Sequence, residues 1–342
     1  MGILDWFRGE QDVTGRTGDA RTDEALERIV ELTNPRLRFA RRYRARLKPA
    51  VRTAMEYAKS VVARAAPARE ASAAAWQSDA TIRALFATAE DLARAFSRSP
   101  DLREWCDRNT SAQDVYAVLS MLLVERRTLG LALEGGVLRR DVQQTTVSFD
   151  DCRVRVCGRS ELELRQEIER RVLDQLALTG LALAAQEQSR RAGLEQEIAL
   201  LRARLRLLER RGAGLTALAG KAAPENSQLA RVQTELAMNE ANLKSLAAGH
   251  EGLELELERL REVLANPREH FYLSTRRLRL DRMNVVLRED SAMPGETLDL
   301  QVARIPVPAG PAEFRTVMLV RFPRSALLPK GALLSDAARM LH

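Results

Sequence analysis

Three histidines and three cysteines are the residues best suited to hold a metal or carry nucleophilic chemistry, and their placement argues against both. Cys152 and Cys157 have four residues between them, so along a strand they point to opposite faces, and no second Cys or His pair stands at zinc-finger spacing. His250 falls inside a leucine repeat, His270 follows the end of that repeat, and His342 is the final residue of the sequence. No local pattern marks a nucleophile turn beside any of them. The nearest approach to a phosphate-binding loop is GLTALAGKA, Gly214 to Ala222. Five residues separate its glycines where such a loop has four, and Ala222 stands where a hydroxyl would hold Mg²⁺. A flexible turn is the better reading. The expectation is a non-enzymatic protein with no catalytic residue, no cofactor and no metal ligand. An enzyme would need a concave pocket with convergent polar groups in the β region.

Charge offers a second kind of chemistry. Arg36, Arg38, Arg41, Arg42, Arg44, Arg46, Lys48 and Arg52 crowd into one segment, and Glu56 is the single acid between Arg36 and Arg69. Such a stripe is how a chain meets phosphates or an acidic protein, because guanidinium forks bind oxyanions two at a time. These eight residues are the candidate site for an acidic partner. A second basic set, Arg153, Arg155, Arg276, Arg277, Arg279 and Arg282, falls on strand-like segments. Three observations pull the other way. Aromatics make up 4% of the chain, which leaves few rings to stack on bases. Glu24, Glu27 and Glu31 on the preceding helix can neutralise the stripe. Only five of the 54 basic residues are Lys, so arginine is a chain-wide preference.

The opening MGILDWF gathers Ile3, Leu4, Trp6 and Phe7. It reads as a terminal plug or partner contact in preference to a peripheral membrane contact through residues 1–8, because Asp5 offsets Arg8. The start lacks a secretory leader pattern, no apolar run approaches the ~20 residues of a membrane span, and three cysteines make no disulfide framework. A cytoplasmic location is expected.

The elements that must position these residues are mostly helical. Leu, Ala and Val dominate the 45% hydrophobic content, which suits helices packing through aliphatic side chains. Gly9 to Thr22 reads as a flexible linker. Leu26, Ile29, Val30 and Leu32 fall on helical spacing, and Asn34-Pro35 is a start signal for the next helix. Pro49 either kinks that helix or opens another. Further helices are expected from Ser78 to Phe96, from Ser99-Pro100, and, after a capping pattern at Ser111 and Asp114, from Val115 to Leu133. At Gly135-Gly136 the period changes to two. Gln143 to Phe149 and Cys152 to Cys157 read as a β-hairpin turning at Asp150-Asp151, and Phe271 to Leu280, Thr297 to Ile305 and Phe314 to Phe322 read as strands.

Between these β segments runs a leucine repeat. Ser160 and Glu163 start a helix that carries Leu194, Ile198, Leu201, Leu205 and Leu208 along one seam. A return arm follows with Leu229, Val232, Leu236, Asn239, Leu243, Leu246, His250, Leu253, Leu257, Leu260 and Leu264 at alternating steps of three and four. Folded onto each other, the arms set Glu187 opposite His250 and Gly180 opposite Leu257. Glu187, Asn239 and His250 form the polar layer of this seam.

The expected architecture is α+β, predominantly α. Residues 1–22 are a flexible N-terminal segment with a short apolar start, and 23–134 are a helical domain. Residues 135–159 and 268–342 make a discontinuous β head. Residues 160–267 form a long antiparallel coiled-coil hairpin inserted between its strands, with its tip near 212–227. The expected function is a non-enzymatic scaffold or interaction protein that meets a protein partner, or itself, through the coiled coil and a basic helical face. The alternative is a nucleic-acid-binding accessory protein using the arginine-rich helix 36–52.

Overall fold

The computed structural model describes residues 4–134, 137–212, 223–247, 252–289, 291, 293–307 and 310–329. Helix α1 (Leu4–Thr33) is followed by a 3₁₀ turn (Pro35–Phe39), α2 (Tyr43–Ala63) and a two-residue strand β1 (Arg69–Glu70). Four short helices come next: α3 (Ala73–Ser78), α4 (Ala80–Leu85), α5 (Ala89–Arg98) and α6 (Pro100–Arg108). Long strands β2 (Asp114–Glu134) and β3 (Val137–Gly158) lead into α7 (Glu161–Gly212), α8 (Ala223–Ala247), α9 (Leu253–Ala265) and the single turn α10 (Pro267–His270). Strands β4 (Tyr272–Leu280), β5 (Glu296–Ile305) and β6 (Glu313–Pro323) follow. Helix outweighs strand, 58% against 25%, and the five long strands form one antiparallel sheet, so the mixed, predominantly α reading holds. The chain divides into two compact units, Met1–Ala54 with Leu176–Asn266, and Met55–Gln175 with Pro267–His342.

In the second of these units the sheet runs in the order β3-β2-β6-β5-β4, with β1 parallel to β6. One face is covered by α3 to α6, whose Ile82, Leu92, Phe96 and Leu102 pack on Val115, Ala117, Leu119, Val320 and Phe322. Phe96 stacks on Phe322 with ring centroids 4.7 Å apart. Ser72, Asp79, Thr88 and Ser99 each accept a backbone N–H in the first turn of the helix that follows. The long helix expected from Ser78 to Phe96 is therefore two, separated at Phe86, whose backbone is extended. The start at Ser99-Pro100 is as expected.

Two expectations are corrected here. Val115 to Leu133 is not a helix but most of β2, so the expected helical domain 23–134 ends before residue 114 and the expected β head begins there. The cause is burial at period two: Val115, Ala117, Leu119 and Met121 are buried on one face. Tyr116, Val118 and Ser120, on the other, are covered in part, and a strand covered on both faces reads as a continuous apolar run. The partner of β3 is likewise β2, paired from Tyr116 with Gly158 to Glu134 with Val137. Asp150-Asp151 is thus no turn. It lies at a β-bulge, where the register shifts between Ser120 and Leu122 and Asp151 takes a left-handed φ of 49°. The strands expected at Phe271–Leu280, Thr297–Ile305 and Phe314–Phe322 are β4, β5 and β6.

That bulge is held by a buried arginine on β6. Arg315, 3% exposed, donates from Nε to Ser120 Oγ at 2.7 Å, from Nη1 to Asp151 Oδ2 at 2.9 Å and from Nη2 to the Asp151 carbonyl at 2.6 Å. The pairing of β2 with β6 stops at Met121 and Thr316, where β2 and β3 leave together as a two-stranded ribbon. Arg315 fills the angle they leave.

In the first unit, Leu26, Ile29 and Val30 of α1 and Leu37, Ala40, Leu47, Ala50, Val51 and Ala54 are buried. Leu32 is exposed instead. The segment expected to be flexible through residue 22 is helical from Leu4, a correction to that boundary. Its glycines cost ~1 kcal/mol each against Ala in a helix, and the ion pairs of Asp19 and Asp23 with Lys48 of α2 tie down only the turns that follow them. Pro49 sits inside α2 without ending it. Asn34-Pro35 begins the 3₁₀ turn and not the helix, with the Asn34 side chain accepting the Arg36 N–H.

Helices α7, α8 and α9 belong to the same unit from Leu176 to Asn266. Glu163 donates its N–H to Ser160 Oγ at 3.2 Å, as the capping pattern predicts. Contacts along these helices run in opposite residue order. Arg202 pairs with Glu240 at 2.7 Å, Glu187 with Arg259 at 2.7 Å, and Gly180 lies against the backbone of Leu260. Gly180 was expected opposite Leu257, three residues away; it sits where its missing side chain admits the closest approach of another backbone. Ile198, Leu201, Val232, Leu257, Leu260 and Leu264 are buried, and Asn239 is half-buried. The return arm, read as one helix, is two, α8 and α9. His250 and the loop Gly214–Ala222 lie outside the described residues, so the partner found for Glu187 is Arg259.

Candidate interaction surface

The eight cations of residues 36–52 separate into two groups once their neighbours are known. Arg38 binds Glu27 at 3.3 Å and Glu31 at 2.9 Å; Arg44 binds Glu27 at 2.8 Å. Arg46 reaches Glu254 at 2.5 Å and Glu258 at 3.2 Å on α9. Lys48 meets Asp23 at 2.9 Å, and Arg52 meets Asp19 at 2.7 Å. The Arg261 guanidinium, with Arg46 second, holds the Glu258 carboxyl down at about 2. Burial pushes the Glu27 carboxyl up, but the Tyr43 hydroxyl and its two arginines prevail and hold it below the usual range. Five of the eight therefore serve the packing of α1, α2 and α9. Glu27 and Glu31 are among the acids the sequence offered for this task; Glu24 takes no ion pair among the described residues, and Asp19, Asp23, Glu254 and Glu258 were not foreseen.

Arg36, Arg41 and Arg42 are the remainder, exposed and without an ion pair among the described residues. The 3₁₀ turn explains how they gather. In this geometry residues three apart eclipse. Leu37 and Ala40 turn inward, so Arg36 and Phe39 turn outward together. Phe39 is 84% exposed. Arg42, at φ 54°, then swings the chain into α2. The turn thus exposes Phe39 in the same short segment as Arg36, Arg41 and Arg42, none of which has an ion pair among the described residues. The alternation of Arg36–Leu37 with Phe39–Ala40 is the signal that would have found it; a helical wheel dispersed it.

The second basic set is largely spent. Arg153 pairs with Asp151, Arg155 with Asp101, Arg276 with Glu125 and Arg277 with Asp299. Arg279 donates to the carbonyls of Arg288, Glu289, Ser291 and Met293. Arg282 is exposed with no ion pair among the described residues.

A polar cavity of about 700 Å³ lies beside Arg83, Arg279, Asp281 and Glu296. Arg83 pairs with Glu296, and Asp281 accepts the N–H groups of Met283 and Val285, so these groups hold their own loop. Burial raises the Cys106 thiol and pushes Cys157 up to about 12, which keeps both protonated at neutral pH. No cluster of potential metal ligands occurs among the described residues, and no described helix is long and apolar enough to cross a membrane. No family model, no curated protein and no solved structure matches this chain.

Proposed function

We propose that this is a non-enzymatic interaction protein whose residues 160–267 act as an antiparallel coiled-coil hairpin that associates with a second copy of itself. The observation that carries this reading is a set of exposed apolar side chains beside the seam. Leu200 and Leu207 of α7 are 71% and 62% exposed, and Met238 of α8 is exposed as well. With Ile198 and Leu201 as seam positions, Leu200 and Leu207 fall one heptad apart at the same position of the repeat. Met238 takes that position on α8. Antiparallel packing turns the same flank of each helix to one side of the pair, so both helices expose apolar side chains on that side. A second copy laid against that side would remove them from water. Three free cysteines suit a reducing cytoplasm.

The test is light scattering with crosslinking on the full chain. The wild type is expected to run as a dimer or larger, and Leu200→Glu with Leu207→Glu to return it to monomer with its helical circular dichroism unchanged. A monomer at all concentrations, with no protein retained in pull-downs, sinks the proposal.

A second reading, nucleic-acid binding, is favoured by Phe39. An exposed ring in the same short segment as three exposed arginines without ion pairs among the described residues suits a single strand, which offers a base to stack and phosphates to pair. Three neutralised phosphates give a slope of log affinity against log salt of about −2. Anisotropy with a labelled single-stranded oligonucleotide is expected to give that slope. Arg36→Glu, Arg41→Glu and Arg42→Glu together are expected to weaken binding more than tenfold, whereas Arg46→Glu acts on folding. Salt-independent or absent binding removes this reading.

A further inference from the structure

A cavity of about 240 Å³ opens between the sheet and the helices on its second face. Its walls come from the end of α2 and the start of α7 on one side, and from β2, β3, β4, β5 and β6 on the other. Val61, Val118, Val156, Val172, Leu273 and Val317 line it. All of these belong to one compact unit.

The polar residues at its edge are already committed. Gln301 accepts the Ala66 N–H and donates to the Arg64 carbonyl; Gln175 donates to the Pro306 carbonyl at 2.8 Å; Arg171 pairs with Glu167 at 2.8 Å. Arg165 binds the carbonyls of Val62, Ala65 and Ala66, and Tyr57 donates to the Phe271 carbonyl, which fixes α2 against its neighbours. The frame cannot collapse inward without breaking these bonds. Lined this way, the space offers water few partners, and a dry apolar cavity of only about 150 Å³ is enough to bind benzene.

A second observation points to the same place. Val156 takes a φ of 57°, a region that a β-branched residue rarely enters, at the bulge where the register shifts between Ala117 and Val118. Backbone strain of this kind collects at binding sites. Here it sets a valine side chain into the cavity wall.

We propose that this cavity is a binding site for a small neutral apolar molecule, of the size of a short aliphatic alcohol or a fused pair of aromatic rings. The polar side chains in its lining, Gln175, Gln301 and Arg171, each already hold a hydrogen bond or ion pair. Charged ligands would forfeit hydration without recovering a partner.

Calorimetric titration and thermal unfolding of the full chain test this with naphthalene and 1-octanol, against octanoate and octylammonium. Saturable binding at one site per chain is expected for the two neutral probes, with a raised Tm, and at least tenfold weaker binding for the charged pair. Val172→Trp fills the cavity from the helix side and Val317→Phe from the sheet side; each, where folded, is expected to abolish binding. The proposal is overturned if the wild type shows no saturable binding, if the charged probes bind as well as the neutral ones, or if a folded filled variant binds unchanged. The outcome is independent of whether the helical arms self-associate.

Discussion

Replacing Arg315 with Ala is expected to lower the unfolding free energy by about 1–3 kcal/mol, the range for leaving buried hydrogen-bonding groups without their donor, since the Asp151 carboxylate is partly exposed and keeps Arg153. The side chain is almost wholly enclosed, and its guanidinium serves Ser120, the Asp151 carboxylate and the Asp151 carbonyl together. Without it the carbonyl and the hydroxyl at the bulge lose their donor, and the angle between β6 and the β2–β3 ribbon is left empty. Urea denaturation gives the loss directly. The pH dependence separates this account from simple cavity formation. The Arg315 guanidinium, opposed by burial and helped by Arg153, holds the Asp151 carboxyl below the usual carboxylate range. A depressed pKa contributes stability that is complete above about pH 4 and fades as pH falls through the folded value. Arg315→Met keeps most of the volume and removes the charge, so this part of the acid limb should flatten. A loss under about 1 kcal/mol in Arg315→Ala, with an unchanged acid limb, would show that the bulge holds without it.

Gly180→Val is expected to be the most damaging single change in the helical unit. A Cβ at this position would lie 2.8 Å from Leu260 Cα and 3.3 Å from the Arg259 carbonyl oxygen. Both are backbone atoms, so neither can rotate aside. Ordinary overpacking costs about 1–3 kcal/mol, and here two helix backbones must separate as well. Gly180→Ala is expected to lose about 1 kcal/mol net, since its better helix propensity offsets part of the clash. Gly193, on the same helix, supplies the control because nothing approaches its Cβ position within 4 Å. Gly193→Ala should therefore stabilise by about 0.5–1 kcal/mol. Thermal unfolding followed by circular dichroism reads all three. Stabilisation by Gly180→Ala equal to that by Gly193→Ala would mean that the close approach at Leu260 does not exist.

The elements differed in how far they could be read from the chain. Long α7 was legible because its leucines keep their spacing over many turns, and β4, β5 and β6 because turn residues bound them. β2 was not, since a strand covered on both faces loses the alternation that identifies strands. Its length of 21 residues also favoured a helical reading. Asp150-Asp151 carried a turn signal that a bulge shares, because both need a residue that tolerates positive φ. Among the candidate residues, the density of arginines was plain, but which of them are free was not. Arg46 is neutralised by acids 208 and 212 positions away, and no local pattern encodes such a pairing. Arg315, one of two arginines in a mostly apolar strand, escaped notice for the same reason.

The strand order β3-β2-β6-β5-β4 has one more consequence, for the sequence in which the protein assembles. β2 with β3, and β4 with β5, are neighbours along the chain and can pair with little entropic loss. β6, the last strand to appear, lies between these two hairpins, and its match with β2 sets Val115 against Phe322. β6 can pair locally with β5 across a short connection, but until it docks on β2 the two halves of the sheet stay apart and Phe96 has no ring to stack upon. The long-range step in forming this sheet is thus the docking of β6 on β2, and its non-locality is expected to limit the rate of folding.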